Sequence, residues 1–341
     1  MVPAVPFDYN KKDKEAWWGG AFMPELPEVE TVRRTLNKLI AGKKIRSVSV
    51  NLPRIIQKPD DPDVFAAMLE GRTFQSVERR GKFLRFLLDG LVLVSHLRME
   101  GRYGVFREED PVENHTHVIF HFTDGTALRY KDVRQFGTMH LFAPGEDLIS
   151  QPLRKLGLEP LSDDFTPDAF AKAIGRRTTK IKPLLLNQEV IVGLGNIYVD
   201  EALFAAAIHP ERPADSLSRA ELKRLHSAIV ATLSSAVEAG GSSIKSYVNG
   251  QGEMGMFQHR LKAYGRTGEP CERCGSPIAK FALGGRGTHI CERCQKLPRG
   301  LRSALKPKAP APEGGKARSN AVKRRLDGTA ESASATEIAE G

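Results

Sequence analysis

Four cysteines constrain this chain more than any other feature. They stand as Cys271-x-x-Cys274 and Cys291-x-x-Cys294 with sixteen residues between the pairs, and there is no fifth. Two tight knuckles at that separation can bring four thiolates around one tetrahedral ion. The intervening residues must then run out and back, so the spacing predicts a short β-hairpin pinned at its base. Zn²⁺ suits an all-sulfur shell, with an iron–sulfur centre as the alternative. A closed shell of four sulfurs leaves no position for water, so the expected metal is structural. Paired knuckles with no secretory segment ahead of them argue against disulfides.

The residues between the pairs add a second clue. "LGGRGTHI" sets Arg286 beside two glycines at the hairpin tip. There it is either a solvated turn residue or a guanidinium presented to phosphate on a rigid finger. From Phe257 to Leu297, eight Lys or Arg stand against three Glu, which is +5 of the chain's net +10. Such a concentration favours a polyanionic partner, nucleic acid first.

The remaining sequence divides by pattern. Residues 1–22 carry little periodicity and read as a leader. Val29, Val32, Leu36 and Leu39 then recur at helical spacing, with Pro27 in the first turn and Glu28 and Glu30 at its positive end. Short alternating segments follow. "FLRFLL" and "LVLVSH" flank Asp89-Gly90, and "HVIFHF" and "ALRY" flank Thr123-Asp124-Gly125. They predict an antiparallel sandwich or flattened barrel over 23–150. Residues 151–262 read as all-helical. Thr166-Pro167 opens one helix, Ser218 with Glu221 caps another, and "YVDEALFAAAI" is a helix with one apolar side. The cysteine hairpin occupies 263–297, and 298–341 reads as a disordered basic tail. The class is therefore α+β and multidomain. His115, His117 and His121 share one strand face by period two, but without further ligands they read as structural. With no run of eighteen apolar residues, the chain is expected to be soluble, cytoplasmic and monomeric.

Several motifs combine in order: "MPELPEVE" at 23–30, "RRGKFL" at 79–84, "GLGNIYVDEALF" at 193–204, "YGRTGEPC" at 264–271, and the cysteine box. Together they resemble the formamidopyrimidine-DNA glycosylase family, bifunctional enzymes that remove oxidised purines. The resemblance covers Met23 to about Lys296. It implies an N-terminal β-sandwich, a helix–two-turn–helix domain and a C-terminal zinc finger, with damaged or abasic double-stranded DNA bound between the halves and association with the nucleoid. It implies that Pro24 is the nucleophile through a free secondary amine, that Glu25 handles protons, and that Glu28 helps position the site. Lys82 would lie near the lesion phosphate. Met99, Arg134 and Phe136 would fill the void left by an extruded base. Asn196 and Arg286 would grip phosphates, and Lys182 would lie near the DNA. The two glycines before Asn196 are read as allowing close backbone approach to phosphate. The stretch "VNGQGEMGMF" (248–257) resembles the loop covering the base.

As written, Pro24 is internal and its nitrogen is an amide, which cannot form an iminium. Translation from Met23 with loss of that methionine would free it. "WWGGAF" before Met23 can be encoded with GGAGG, a bacterial ribosome-binding signal, if Gly19 is GGA. The alternatives are an oxidised-pyrimidine enzyme of the same superfamily and, if the leader stays, a DNA-damage-binding protein without catalysis.

Overall fold

The computed structural model describes residues 23–242, 255–298 and 300. The leader, most of the 248–257 stretch and nearly all of the tail lie outside the described residues.

The first helix, α1 (Leu26–Ile40), buries Leu26, Val29, Val32, Leu36 and Ile40 on one stripe. That is the spacing that commits a 3.6-residue helix to a core. Leu39, expected in the stripe, is only partly buried. The helix straddles two cores. Leu26 packs among the helices of the second domain, whereas Val29 to Ile40 pack into the β-domain.

The β-domain contains β1 (Ile45–Val50), β2 (Ile56–Lys58), α2 (Pro62–Leu69), β3 (Phe74–Arg80), β4 (Phe83–Leu88), β5 (Leu91–His96), β6 (Arg102–Arg107), β7 (Thr116–Phe122), β8 (Thr126–Lys131), β9 (Thr138–Phe142) and α3 (Glu146–Ile149). Two separate sheets form, in the orders β2-β9-β5-β4-β3 and β1-β7-β8-β6. The arrangement is thus a sandwich rather than a closed barrel. Phe74 of one sheet meets Phe120 and Phe122 of the other edge-on, each with ring centres 6.0 Å apart. These aromatic contacts join the sheets at the centre of the core. The β3–β4 turn has two residues, because Arg80 pairs with Phe83. Gly81 takes its first place at φ +58°, a conformation that suits glycine, and Lys82 takes the second.

The three histidines form no common cluster, although the His115 and His117 rings lie 6.4 Å apart. His115 lies before β7 at φ +66°, off the strand face. A register irregularity falls between Thr116 and Val118. His117 there shares a 2.9 Å hydrogen bond with the Asp132 carbonyl, while His121 bonds Ser49 and Glu108. The period-two reading fails because the pleat is broken where it was counted.

The helical block comprises α4 (Pro167–Ile174), α5 (Ile181–Leu186), α6 (Asn196–Ala205) and α7 (Arg219–Glu238). Thr166 caps α4 and the Ser218/Glu221 box caps α7, as their sequences dictate. The α6 helix departs from expectation. Every residue from Ile197 to Phe204 is buried, Asp200 and Glu201 included, so it has no solvent side. It forms the axle of the molecule, with the β-domain at its N-terminus and the finger along its side and C-terminus.

The finger is β10 (Ala279–Leu283) and β11 (Arg286–Ile290), joined by Gly284-Gly285 at φ +56° and +72°. Two consecutive positive φ values make a type I′ turn, the one that matches strand twist. Among the described residues no helix is long and apolar enough to cross a membrane.

Candidate active site

The site grows from the N-terminus of α6. A helix begins with unpaired N–H groups, and Gly195, the residue ahead of α6, has no side chain to satisfy them. Glu25 takes that place from the other domain. Its carboxylate accepts the Ile197 N–H at 3.0 Å and the Tyr198 N–H at 3.4 Å. The glycines make room for this contact. A Cβ on Gly195 would lie 2.2 Å from Glu25 Cδ, and one on Gly193 would lie 2.7 Å from Leu26 Cδ1. The Leu26 N–H also donates to the Gly193 carbonyl at 3.0 Å. The two glycines of this motif therefore allow a close approach to the start of α1 in the same chain.

Glu28 sits one turn further along α1 and is 1% exposed. It accepts the Glu25 N–H at 2.9 Å, the Tyr198 hydroxyl at 2.5 Å and the Ser242 N–H at 2.7 Å. Burial first, and then the neighbouring Glu25 charge, push its carboxyl up to about 7. Burial likewise raises Glu25, opposed by Lys82 and the three amides at the start of α6. Tyr198 stays a protonated phenol because burial and the two carboxylates disfavour its anion.

Lys82 reaches this pocket from the β3–β4 turn and is 8% exposed. Burial lowers its pKa, the Glu25 and Glu28 charges raise it, and Arg286 lowers it again. Four charged groups from three parts of the chain therefore sense one another. Pro24 is buried at the head of this cluster, directly before Glu25. Asn196, the first residue of α6, donates from Nδ2 to the Gly287 carbonyl at 2.9 Å, which sets it beside the exposed Arg286. Pro24, Glu25, Glu28, Lys82, Asn196 and Arg286 thus share one locality.

A second locality gathers the void-filling candidates. Arg134 Nη1 lies 3.3 Å from Met99 Sδ, and its Nε donates to Glu100 at 3.2 Å. Phe136 is 56% exposed, so a core role is excluded for it. Buried Asp132 shapes this loop by accepting the Arg134 and Gly137 N–H groups.

Residues 23–139 match the Formamidopyrimidine-DNA glycosylase N-terminal domain and residues 156–248 match the Formamidopyrimidine-DNA glycosylase H2TH domain. Residues 268–297 match a zinc finger found in FPG and IleRS. A formamidopyrimidine-DNA glycosylase of Brevibacillus brevis is 64% identical over 274 residues, covering 80% of this chain and 99% of the relative. The Bacillus subtilis enzyme of that name is 55% identical over 273 residues, again covering 80% and 99%. This chain belongs to the formamidopyrimidine-DNA glycosylase family. Among solved structures, the Lactococcus lactis member of the family in complex with DNA containing N7-benzyl-Fapy-dG superposes with a TM-score of 0.75 at 44% identity. It covers 80% of this chain and 100% of that one. The same bacterial protein has also been solved with abasic-site DNA, at TM-score 0.75, 43% identity and the same coverage.

The family's zinc finger fits the cysteines found here. All four Sγ atoms lie within 4.8 Å of one another. Zn–S bonds of about 2.3 Å in a tetrahedron require S···S edges near 3.8 Å. Cys271–Cys294 at 4.0 Å and Cys274–Cys291 at 3.4 Å bracket that value. Removing zinc with a chelator is expected to release one ion per chain and to loosen 263–297, because structural zinc is worth about 10–16 kcal/mol in isolated fingers. Elemental analysis and proteolysis of the finger check this.

Lys182 requires a correction. Its side chain is 0% exposed and pairs with Asp200 at 2.7 Å. Its remaining ammonium hydrogens reach the Gly287 carbonyl and Thr288 Oγ1, both at 2.9 Å. All three protons are used, so none is left for phosphate. Lys182 ties α5 and α6 to the finger instead. Sequence reasoning missed its partners altogether. Asp200 also accepts the His289 N–H at 2.9 Å, and Glu201 accepts the N–H groups of Lys262, Ala263 and Tyr264. Arg273, between two zinc ligands, donates to the Phe204 and Ala205 carbonyls at the α6 C-terminus. The one available signal was a pair of acids inside an apolar helical run, "YVDEALFA".

Proposed function

We propose that this protein removes oxidised purines, 8-oxoguanine and formamidopyrimidines, from double-stranded DNA, and then cleaves the strand at the abasic site. The observation that carries the reading is the cluster at Pro24. A buried secondary amine in the mature chain would stand beside a carboxyl whose proton affinity is raised, facing a buried lysine. An α-amine titrates near about 8, so a useful fraction is neutral at physiological pH. Burial and the Lys82 charge favour the neutral form, while the two glutamates oppose them.

In this mechanism the lesion nucleotide leaves the stack. Met99, Arg134 and Phe136 occupy the gap, and Lys82, Asn196 and Arg286 hold the flanking phosphates. The Pro24 nitrogen bonds to C1′ as the C1′–base bond breaks, and the proton the amine sheds is relayed through Glu25 to the departing base. Glu25 gives a proton to the ring oxygen as the C1′–O4′ bond opens, leaving an iminium between nitrogen and C1′. That cation accepts the electrons released when a C2′ proton is lost, so the 3′ phosphate departs, and a second elimination expels the 5′ phosphate.

Glu25→Gln keeps the size and one acceptor but cannot donate the proton. It is expected to slow excision by about 10²–10⁴-fold with binding to lesion DNA retained, the range of a lost general acid. Single-turnover excision and a binding titration on the same duplex check this.

An oxidised-pyrimidine specificity is the second reading. It is favoured by the solved complex of the Lactococcus lactis relative with DNA containing an oxidised pyrimidine. Duplexes carrying 8-oxoguanine or thymine glycol decide between the two. Faster release of 8-oxoguanine supports the purine reading, and the reverse order overturns it. A protein that binds both and releases neither would be a damage binder without catalysis.

A further inference from the structure

Lys82 stands in a two-residue turn, so its placement depends on what holds that turn. What holds that turn is Glu159, from the segment joining the sandwich to the helices. One Glu159 oxygen pairs with Arg79 Nη1. The other accepts from Arg80 Nη1 and from the Gly81 N–H, each at 2.8 Å. Three successive residues before Lys82 thus converge on one carboxylate. The clamp extends on both sides. Arg79 also donates to Glu30 on α1 at 3.1 Å and to the Gly81 carbonyl at 2.9 Å, while Arg80 Nη2 donates to the carbonyls of Leu156 and Gly157. Gly81 presses on Val192 so closely that a Cβ there would lie 2.1 Å from Val192 Cγ2.

The Glu159 segment is itself laid against the strand of chain that delivers α6. Leu158 N–H donates to Val190 O at 3.0 Å, and Val192 N–H donates to Leu158 O at 2.9 Å. Three residues beyond Val192 lies Gly195, where Glu25 caps α6. One carboxylate therefore registers the turn that carries Lys82 against the backbone that receives Glu25. The group is not required to fill a core, since its side chain remains 17% exposed. Paired charges at that depth are better suited to fixing geometry than to supplying net stability.

We propose that Glu159 is a positioning residue that acts through Lys82, holding its ammonium against Glu25 across the domain boundary. This rests on the role given to Lys82 under the proposed function. A residue that acts through another loses its effect when that other is gone. The test is a double-mutant cycle on the zinc-loaded chain beginning at Pro24, with Glu159→Gln, Lys82→Met and both together. Single-turnover excision of 8-oxoguanine, the dissociation constant for lesion DNA and the unfolding midpoint are read for each.

Glu159→Gln is expected to slow excision at least tenfold with affinity changed less than threefold, and to cause no further loss in the Lys82→Met background. Losses that multiply would overturn the proposal while leaving Lys82 catalytic. An unchanged excision rate in Lys82→Met alone would remove the role of Lys82 and this proposal with it. If Glu159→Gln does not fold, Arg80→Met opens the clamp from the other side and enters the same cycle with the same two outcomes.

Discussion

A chain that retains residues 1–22 is expected to give no covalent DNA adduct with borohydride, and to excise 8-oxoguanine at least about a thousandfold more slowly than a chain beginning at Pro24. The reason is the electronic state of one nitrogen. In a peptide bond its lone pair is delocalised into the carbonyl and cannot attack a sugar carbon. An internal proline has no further hydrogen to lose, so the amide offers no route to an iminium. Sterics act in the same direction. Pro24 is buried, and the site around it is filled by Glu25, Glu28 and Lys82. A chain continuing from Pro24 would also add bulk at the nitrogen itself. Excision should suffer together with strand cleavage, because both begin with the same bond. Trapping and excision assays on the two proteins, side by side on one duplex, check the prediction.

The second large effect concerns Lys182. Lys182→Met leaves the Asp200 carboxylate buried, with His289 as its remaining partner. Breaking a buried pair from one side costs about 3–5 kcal/mol, because an uncompensated charge stays behind. The loss should appear in urea unfolding of the helical block and finger, while the Asn196 bond to the Gly287 carbonyl keeps Arg286 in place. Lys182→Met with Asp200→Leu, which removes both charges, is expected to recover much of the stability. The salt dependence of binding separates this account from a phosphate contact. Removing a phosphate-bound lysine lowers the slope of log K against log salt by about one. With all three Lys182 protons committed inside the protein, the slope should be unchanged.

These two residues show what a sequence can and cannot disclose here. Local rules were legible. The paired cysteines fixed a hairpin and its metal, Ser218 and Glu221 opened α7, and the apolar stripe of α1 was visible from Val29 onward. Each depends on neighbours a few residues away. The cluster at Pro24 was legible only through the likeness of whole motifs to a family. What failed to show was contact across domains. Nothing within "GLGN" reveals that its glycines accommodate Glu25 and Leu26, about 170 residues earlier. Nothing in "KIKPLLL" reveals that its second lysine is buried against Asp200. The α6 helix looked one-sided because Asp200 and Glu201 count as solvent-facing in any periodicity. They are buried because amides of the finger and Lys182 come to meet them. The shared strand face of the histidines failed for a related reason, since a register irregularity breaks the period on which it was counted.

The central claim is that one α-amine, that of Pro24, forms the bond to DNA. Its most direct test is mass spectrometry of the borohydride-reduced complex after digestion of both protein and DNA. The account predicts that the sugar remnant is carried by the N-terminal peptide, on the Pro24 nitrogen. Lys82 is the other buried amine in the same pocket, and its pKa is lowered by burial. A remnant found on Lys82, or an intact adduct from protein whose first residue is not Pro24, would contradict the account.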